Sequence, residues 1–434
     1  MPFSSRSRSL ITGVAALAAL TLAGTTQGNA EAQLLIDAAT GKVLHAENAT
    51  YPWYPASVTK LMTVYATLRA IKDGKTSMNT LLTVSRNAAS MPPTHMGFRT
   101  GTTVTLDNAL KMLMVKSAND MAVVIAEGVG GSIESFADMM NANARRLGMT
   151  QSNFVNPNGL PAEGHVTSAR DLGILARALI TEYPDYDYLW HIHAIQYGNR
   201  VMRNYNSLLD RYPGADGMKT GFICASGYNV VASATRNGHR LIAIVLGAWS
   251  GAVRAQKAAQ LLERGFNSAG LSWLTPSLGT VDALAPIDAQ PPNLREEMCG
   301  GHRRKPPSED NNEEEDDAAP AASASGETGT GDTNATNTAQ AFMLSSLKPA
   351  NGKFVLGPAV ETEAPIRVFT GPADHPDAPQ TASAPSKKKK KTAVAKTDAK
   401  TDSAPAAAAD TAAKPADKKT AKKPAKPKVS SAAQ

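Results

Sequence analysis

Ala56-Ser57-Val58-Thr59-Lys60-Leu61-Met62-Thr63 follows two prolines, Pro52 and Pro55, and opens an apolar periodicity through Val58, Leu61, Met62, Tyr65, Leu68 and Ile71. Spacings of three and four predict a helix with one buried face. If that helix opens at Ser57, then Ser57 and Lys60 stand one turn apart on the same side. A serine hydroxyl is a weak nucleophile until a neighbouring base takes its proton, and a neutral lysine serves as such a base. The lysine then needs a pKa below its ordinary value of about 10.4, lowered by burial or by a second cation. S-x-x-K also arises by chance in helices, so the reading needs support from the rest of the chain.

Two further triplets supply it. Ser117-Ala118-Asn119 lies between helical runs at 106–115 and 121–127, and Lys219-Thr220-Gly221 leads into a strand-like segment. S-x-x-K, S-x-N and K-T-G, in that order over one domain, are the signature of penicillin-binding proteins and serine β-lactamases. Longer stretches narrow the match. Ser117-Ala118-Asn119-Asp120-Met121-Ala122, Leu147-Gly148-Met149, Asn156-Pro157-Asn158-Gly159-Leu160, Asp216-Gly217-Met218-Lys219-Thr220-Gly221 and the run 226–235 resemble the D-alanyl-D-alanine carboxypeptidases among the low-molecular-mass penicillin-binding proteins. The resemblance covers residues 32–266.

That resemblance implies acyl transfer from the penultimate D-alanine carbonyl to Ser57, release of the terminal D-alanine, and transfer of the acyl group to water. It implies Ser57 as nucleophile, Lys60 as general base, Lys219 as the cation beside Lys60, and Ser117 as proton relay to the leaving amine. Asn119 is expected to bind the substrate amide. A helix cap is the alternative for Ser117 and Asn119. The backbone N–H groups of Ser57 and Phe222 are expected to form the oxyanion site, with Gly221 in the same substrate-binding strand. For the substrate's terminal carboxylate the candidates are Thr220 and Arg254, whose spacing from Lys219 matches the family's carboxylate-binding arginine. The alternative for Arg254 is a solvated helix residue. One departure is Asn204-Tyr205-Asn206, where relatives often carry Asn-Arg-Asn. The implied partners are peptidoglycan stem peptides and, as inhibitors, β-lactam antibiotics. No cofactor or metal is expected: His165, His191 and His193 lack an arrangement such as H-E-x-x-H, and His165 is read as positioning the loop after Asn156-Pro157-Asn158-Gly159.

Arg6 and Arg8, an apolar run at 10–23 and small residues up to Ala30 read as an export signal over residues 1–30. The apolar run falls short of the roughly 20 residues that span a bilayer. The mature chain is therefore expected to be periplasmic or otherwise extracytoplasmic, with peripheral contact to a membrane as one form of that setting. Residues 31–286 are mixed, periodic and long enough for a large core. Residues 287–434 are rich in Ala, Pro, Ser, Thr, Lys and acidic residues, with an acidic run at 308–317 and a lysine-rich segment at 387–428. Residues 387–434 hold 14 Lys and 4 Asp, a net charge of +10, against +7 for the whole chain. The basic balance thus belongs to the tail, which is expected to be largely disordered. Its expected contact is an anionic membrane or wall polymer, and export argues against nucleic acid. One island, 342–369, has enough apolar residues for a docking segment or a short strand pair. Cys224 and Cys299 could pair in an oxidising compartment. The preferred reading is a buried thiol at Cys224 and an incidental one at Cys299.

The coarse order is strands at 32–37 and 42–46, helices from about Ser57, Leu106, Met121, Ser132 and Ser168, strands at 228–235 and 240–247, and a helix at 252–265. Asn237-Gly238 joins the late strands as a hairpin. The fold class is α+β, an antiparallel sheet covered by helices. The resemblance implies a β-lactamase/transpeptidase-like arrangement with an all-helical subdomain. A β-lactamase would need a glutamate holding a hydrolytic water, and the loop 153–170 offers only Glu163 without the flanking residues of those enzymes. A D,D-endopeptidase acting on peptide crosslinks uses the same chemistry and stays as the alternative.

Overall fold

The computed structural model describes residues 31–268, 278–301, 356–359 and 363–374. The expected export signal and most of the tail, including both charged runs, lie outside these residues.

Strands β1 (Ala32–Asp37) and β2 (Val43–Glu47) form the first hairpin. A 3₁₀ turn, Ala56–Thr59, leads directly into α1 (Lys60–Lys72). Next come β3 (Leu81–Thr83), the single turn α2 (Arg86–Ala89) and β4 (Thr103–Thr105), which pairs with β3. The helical body follows: α3 (Leu106–Val115), α4 (Asn119–Gly130), α5 (Ile133–Leu147) and α6 (Ala169–Glu182). Ser132 and Ser168 cap α5 and α6, their hydroxyls accepting from the amides of Ser135 and Asp171. Then β5 (Ala194–Tyr197) and β6 (Arg200–Arg203) make a second hairpin, ahead of the short α7 (Leu208–Arg211). The long strands β7 (Ala215–Ile223), β8 (Gly227–Arg236) and β9 (His239–Ala248) precede α8 (Gly251–Ser268). Asn237 and Gly238 both have positive φ (52° and 75°), as the β8–β9 turn requires.

The central sheet has the order β2-β1-β9-β8-β7, and every pairing in it is antiparallel. It is buried on both faces, which explains why β8 and β9 read as nearly continuous apolar runs instead of alternating with polar residues. Leu34, Ile36, Ile242, Ile244 and Leu246 face the core shared with the helical body. Leu35, Leu241, Ala243 and Val245 face α8 through Ala258, Leu261 and Leu262. The period of two thus divides one apolar sequence between two cores. The expected antiparallel sheet covered by helices is present. Among the described residues no helix is long and apolar enough to cross a membrane.

The folded part runs past the expected boundary at residue 286. Helix α9 (Arg295–Cys299) docks on the sheet end: the Leu294 N–H donates to Ala225 O (3.0 Å), and Met298 is buried. Cys299 is bonded to Cys224, so the expectation of two unpaired thiols is corrected. Strand β10 (Ile366–Arg367) adds parallel to β5, Val368 enters the helical core, and the buried Phe369 donates its N–H to Asn108 Oδ1 on α3 (3.3 Å). The island at 342–369 therefore supplies one docked strand instead of a strand pair, as far as its described residues show. Burial of Met298, Val368 and Phe369 is what carries these segments onto the domain.

Candidate active site

Ser57 sits in the 3₁₀ turn ahead of α1, so the α-helix opens at Lys60, three residues after the opening at Ser57 that the periodicity suggested. The turn is entered through Ala56 at φ 51°. Contacts with the far end of the domain fix it: Asn229 Nδ2 donates to Tyr54 O and Pro55 O (3.1 and 3.2 Å), and Trp53 Nε1, just ahead of the turn, donates to the backbone Ser226 O (3.1 Å). The S-x-x-K spacing survives the change of helix type. Lys60 Nζ lies 2.8 Å from Ser57 Oγ and donates to Asn119 Oδ1 and to Asn158 O, each at 2.9 Å. Lys60 is fully buried, while Ser57 keeps partial access to solvent.

The second triplet forms the corner between α3 and α4. Ser117 stands at φ 56°, and the helix cap position falls to Ala118 without a side-chain bond, so neither Ser117 nor Asn119 serves as a cap. The segment 92–97 braces this corner. Asn119 Nδ2 donates to Pro92 O (2.9 Å), Thr94 Oγ1 donates to Ser117 O (2.8 Å), and the Asp120 carboxylate accepts from the amides of Met96 and Gly97. With its oxygen on Lys60 and its nitrogen on Pro92 O, Asn119 fixes the Lys60 amine as well as facing the cleft.

The third triplet lies on β7, one of the two edge strands of the sheet as described. Lys219 and Thr220 are buried, and Lys219 Nζ donates to Thr220 O (3.1 Å). A β-carbon at Gly221 would stand 2.7 Å from Ser57 N and 2.9 Å from Val58 N, so only glycine lets β7 approach the Ser57 turn so closely. Gly159 meets the same turn from the opposite side, where a β-carbon would come within 1.8 Å of Ala56 O. Its loop is clamped by Thr63 Oγ1, which donates to Pro157 O (2.6 Å), and by His165. The Val155 N–H donates to His165 Nδ1 (3.0 Å), which places the ring proton on Nε2 and aims it at Thr59 Oγ1 (2.9 Å). Burial alone pushes His165 down to about 4, so the ring is neutral at ordinary pH. The expected loop-positioning role matches this geometry. His191 and His193 face Asp187 and Asp210, and no group of three His, Cys, Asp or Glu among the described residues is placed to hold a metal ion.

Ser57, Asn119 and Phe222 line one cleft of about 390 Å³ together with Thr94, Asn158 and Arg295. Two hydroxyls of the triplets, Ser117 Oγ and Thr220 Oγ1, are buried without a hydrogen-bond partner among the described residues. Leaving a buried hydroxyl unpaired costs about 1–3 kcal/mol, a cost that a bound substrate group would relieve. Arg254, in the first turn of α8, is buried and not solvated. It donates to Asn229 O (3.3 Å) and Tyr205 O (3.4 Å), and its guanidinium lies over the Tyr228 ring. Tyr205, the departure in Asn204-Tyr205-Asn206, accepts from Lys116 Nζ (2.6 Å), next in the chain to Ser117. The sequence reading did not single out Asn158, Asp120 or Arg295. The first two lie inside quoted motifs, but a backbone carbonyl and a loop-bracing carboxylate have no spacing signature of their own.

Comparison with known proteins agrees with this geometry. The profile of the peptidase S11 family, D-alanyl-D-alanine carboxypeptidase, matches residues 19–250. The chain is 38% identical over 246 residues to D-alanyl-D-alanine carboxypeptidase DacC of Escherichia coli K12, covering 55% of this chain and 61% of the relative. It is 36% identical over 245 residues to DacF of Bacillus subtilis 168, covering 55% and 62%. The chain thus spans less than two thirds of these relatives' length. Among solved structures, penicillin-binding protein 5 of Haemophilus influenzae superposes with a TM-score of 0.53 at 32% identity, over 55% of this chain and 71% of that one. Penicillin-binding protein D2 of Listeria monocytogenes in its ampicillin-bound form gives 0.50 at 29% identity, over 55% and 97%. With its three triplets gathered around Ser57 and its fold shared with low-molecular-mass penicillin-binding proteins, this chain belongs to the S11 family of D-alanyl-D-alanine carboxypeptidases.

Proposed function

We propose that the protein is a serine-type D-Ala-D-Ala carboxypeptidase that removes the terminal D-alanine of peptidoglycan stem pentapeptides through an acyl-enzyme on Ser57. The observation that carries this reading is the environment of Lys60 Nζ: two acceptors, Asn119 Oδ1 and Asn158 O, and the Ser57 hydroxyl at 2.8 Å. A neutral amine has two N–H bonds and one lone pair. With the N–H bonds directed at the two carbonyl-type oxygens, the lone pair faces Ser57 Oγ and takes its proton as the oxygen attacks. Charge developing on the attacked carbonyl oxygen is met by the N–H groups of Ser57 and Phe222, which the close approach of Gly221 brings to one cleft. Ser117 then passes the proton to the leaving amine, and water releases the acyl group by the reverse steps.

The substrate lies along the outer edge of β7 as an added strand, since that edge pairs with no other strand among the described residues. Its terminal carboxylate is placed toward Thr220 and Arg254. Lys219 supplies positive charge to the same end of the site. β-Lactams acylate Ser57 as substrate mimics, and the ampicillin-bound form of a structural neighbour supports that extension. The setting is extracytoplasmic, and the lysine-rich residues 387–428 contact anionic membrane or wall polymer there.

Mass spectrometry of the purified protein incubated with a pentapeptide ending in D-Ala-D-Ala tests the reaction. Loss of one alanine is expected. No loss from the pentapeptide, with cleavage of crosslinked dimers instead, would make the endopeptidase alternative the correct one.

A further inference from the structure

The disulfide between Cys224 and Cys299 brings a foreign element to the catalytic cleft. Cys224 follows β7 directly and lines the cleft that contains Ser57. Cys299 ends α9, 75 residues later and beyond the residues matched by the family profile. The attachment has three points: the disulfide, the Leu294 N–H to Ala225 O bond, and the Met298 methyl against Gly227. Between these points stands Arg295, whose amide donates to Asn293 Oδ1 (3.1 Å). Its side chain is exposed, lines the cleft of Ser57, and makes no ion pair among the described residues. Arg295 also lines an adjoining cleft of about 300 Å³, where Glu163 is present; Glu163 does not line the cleft of Ser57.

We propose that Arg295 is a specificity-determining residue that recognises a free carboxylate on the acyl side of the peptide, and that the Cys224–Cys299 bond holds it there. The inference rests on the carboxypeptidase reading and on the direction it gives the substrate. With the terminal carboxylate near Thr220 and the scissile carbonyl at Phe222, the peptide runs antiparallel to β7, and its upstream residues pass Ile223 and Cys224. One strand residue beyond Phe222 is about 3.4 Å. The residue preceding the penultimate D-alanine therefore comes opposite Ile223, which lines the cleft beside Cys224 and Arg295 at the foot of α9. A cation fixed there selects a carboxylate-bearing side chain at that position over a neutral one, by bidentate pairing with the guanidinium. A five-residue helix carrying one arginine would not hold it in place alone, because so short a helix has little stability of its own. The covalent bond and the buried Met298 provide the fixed position.

Two peptides ending in D-Ala-D-Ala test this, identical except that the residue before the penultimate D-alanine carries a side-chain carboxylate in one and the corresponding primary amide in the other. The quantity read is the ratio of kcat/KM for the carboxylate peptide to that for the amide peptide. The wild type should prefer the carboxylate, and Arg295→Gln should lower the ratio about 3- to 10-fold, less than for a desolvated pair because Arg295 keeps its solvent contact. Cys299→Ser should lower the ratio similarly, whereas general damage to the fold would slow both peptides and leave the ratio unchanged. A wild-type ratio near one, or an unchanged ratio in Arg295→Gln, overturns the proposal. A wild-type ratio retained in Cys299→Ser overturns the role of the disulfide. Failure of the wild type to cleave either peptide would overturn the underlying carboxypeptidase reading along with it.

Discussion

Gly221 lies so close to the Ser57 turn that a β-carbon on it would stand 2.7 Å from the Ser57 amide nitrogen. The close contact is between two backbones, so no side-chain rotation relieves it. Gly221→Ala should push β7 away from the turn and spread the two N–H groups proposed for the oxyanion site. Acylation by penicillin is expected to fall by roughly 100-fold, the scale of losing one oxyanion donor. Stopped-flow labelling beside a circular dichroism spectrum checks this. Near wild-type acylation would mean that the strand is not required at this distance.

Lys60→Ala removes the amine that faces Ser57 Oγ and leaves Asn119 Oδ1 and Asn158 O without that donor. The acylation rate should drop by about 10²- to 10⁴-fold, the range of a lost general base. If acylation persists near the wild-type rate in a folded Lys60→Ala protein, another group takes the serine proton.

Arg254→Ala should harm peptides with a free terminal carboxylate more than their amidated analogues. A charge-assisted bond to a carboxylate is worth roughly 1.5–3 kcal/mol, or about 10- to 150-fold in kcat/KM. Because Arg254 already spans Asn229 O and Tyr205 O, an equal loss on both substrates would show that its service is to hold β8 and the Tyr205 segment together.

His165 gives the loop before the cleft a pH dependence. Its folded pKa of about 4 lies below the ordinary histidine value near 6.5, so between these the unfolded chain binds a proton that the folded chain refuses. The stability due to the neutral ring is complete above pH 6.5 and is lost as pH falls towards 4, by about 3 kcal/mol in all. Urea unfolding of wild type and His165→Gln at pH 7 and pH 4.5 measures it. The wild type should lose more stability than the variant over that interval, and parallel losses would contradict the assignment.

The parts of this molecule written in local sequence were legible, and the parts built from distant contacts were not. Ser57 and Lys60 are one turn apart whether the turn is 3₁₀ or α, so their juxtaposition follows from spacing alone. Asn237-Gly238 announced the β8–β9 hairpin for an equally local reason. The Cys224–Cys299 bond depends on how a segment rich in proline and charge returns to the end of β7, and no periodicity encodes that return. Helix α9 has a single buried anchor in Met298, too little apolar content to distinguish it from the expected tail. Likewise β10 is two residues long, and its partner β5 precedes it by about 170 residues in the chain. Folded residues therefore extend past the expected boundary at 286 through elements with no local signature, whereas the three triplets are continuous in sequence.

The central claim is that Ser57 carries the acyl group, and mapping a penicillin adduct tests it most directly. Protein treated with benzylpenicillin and digested should show the added mass on the peptide containing Ala56-Ser57-Val58, and Ser57→Ala should show none. An adduct on any other peptide, or undiminished labelling of folded Ser57→Ala, would contradict it.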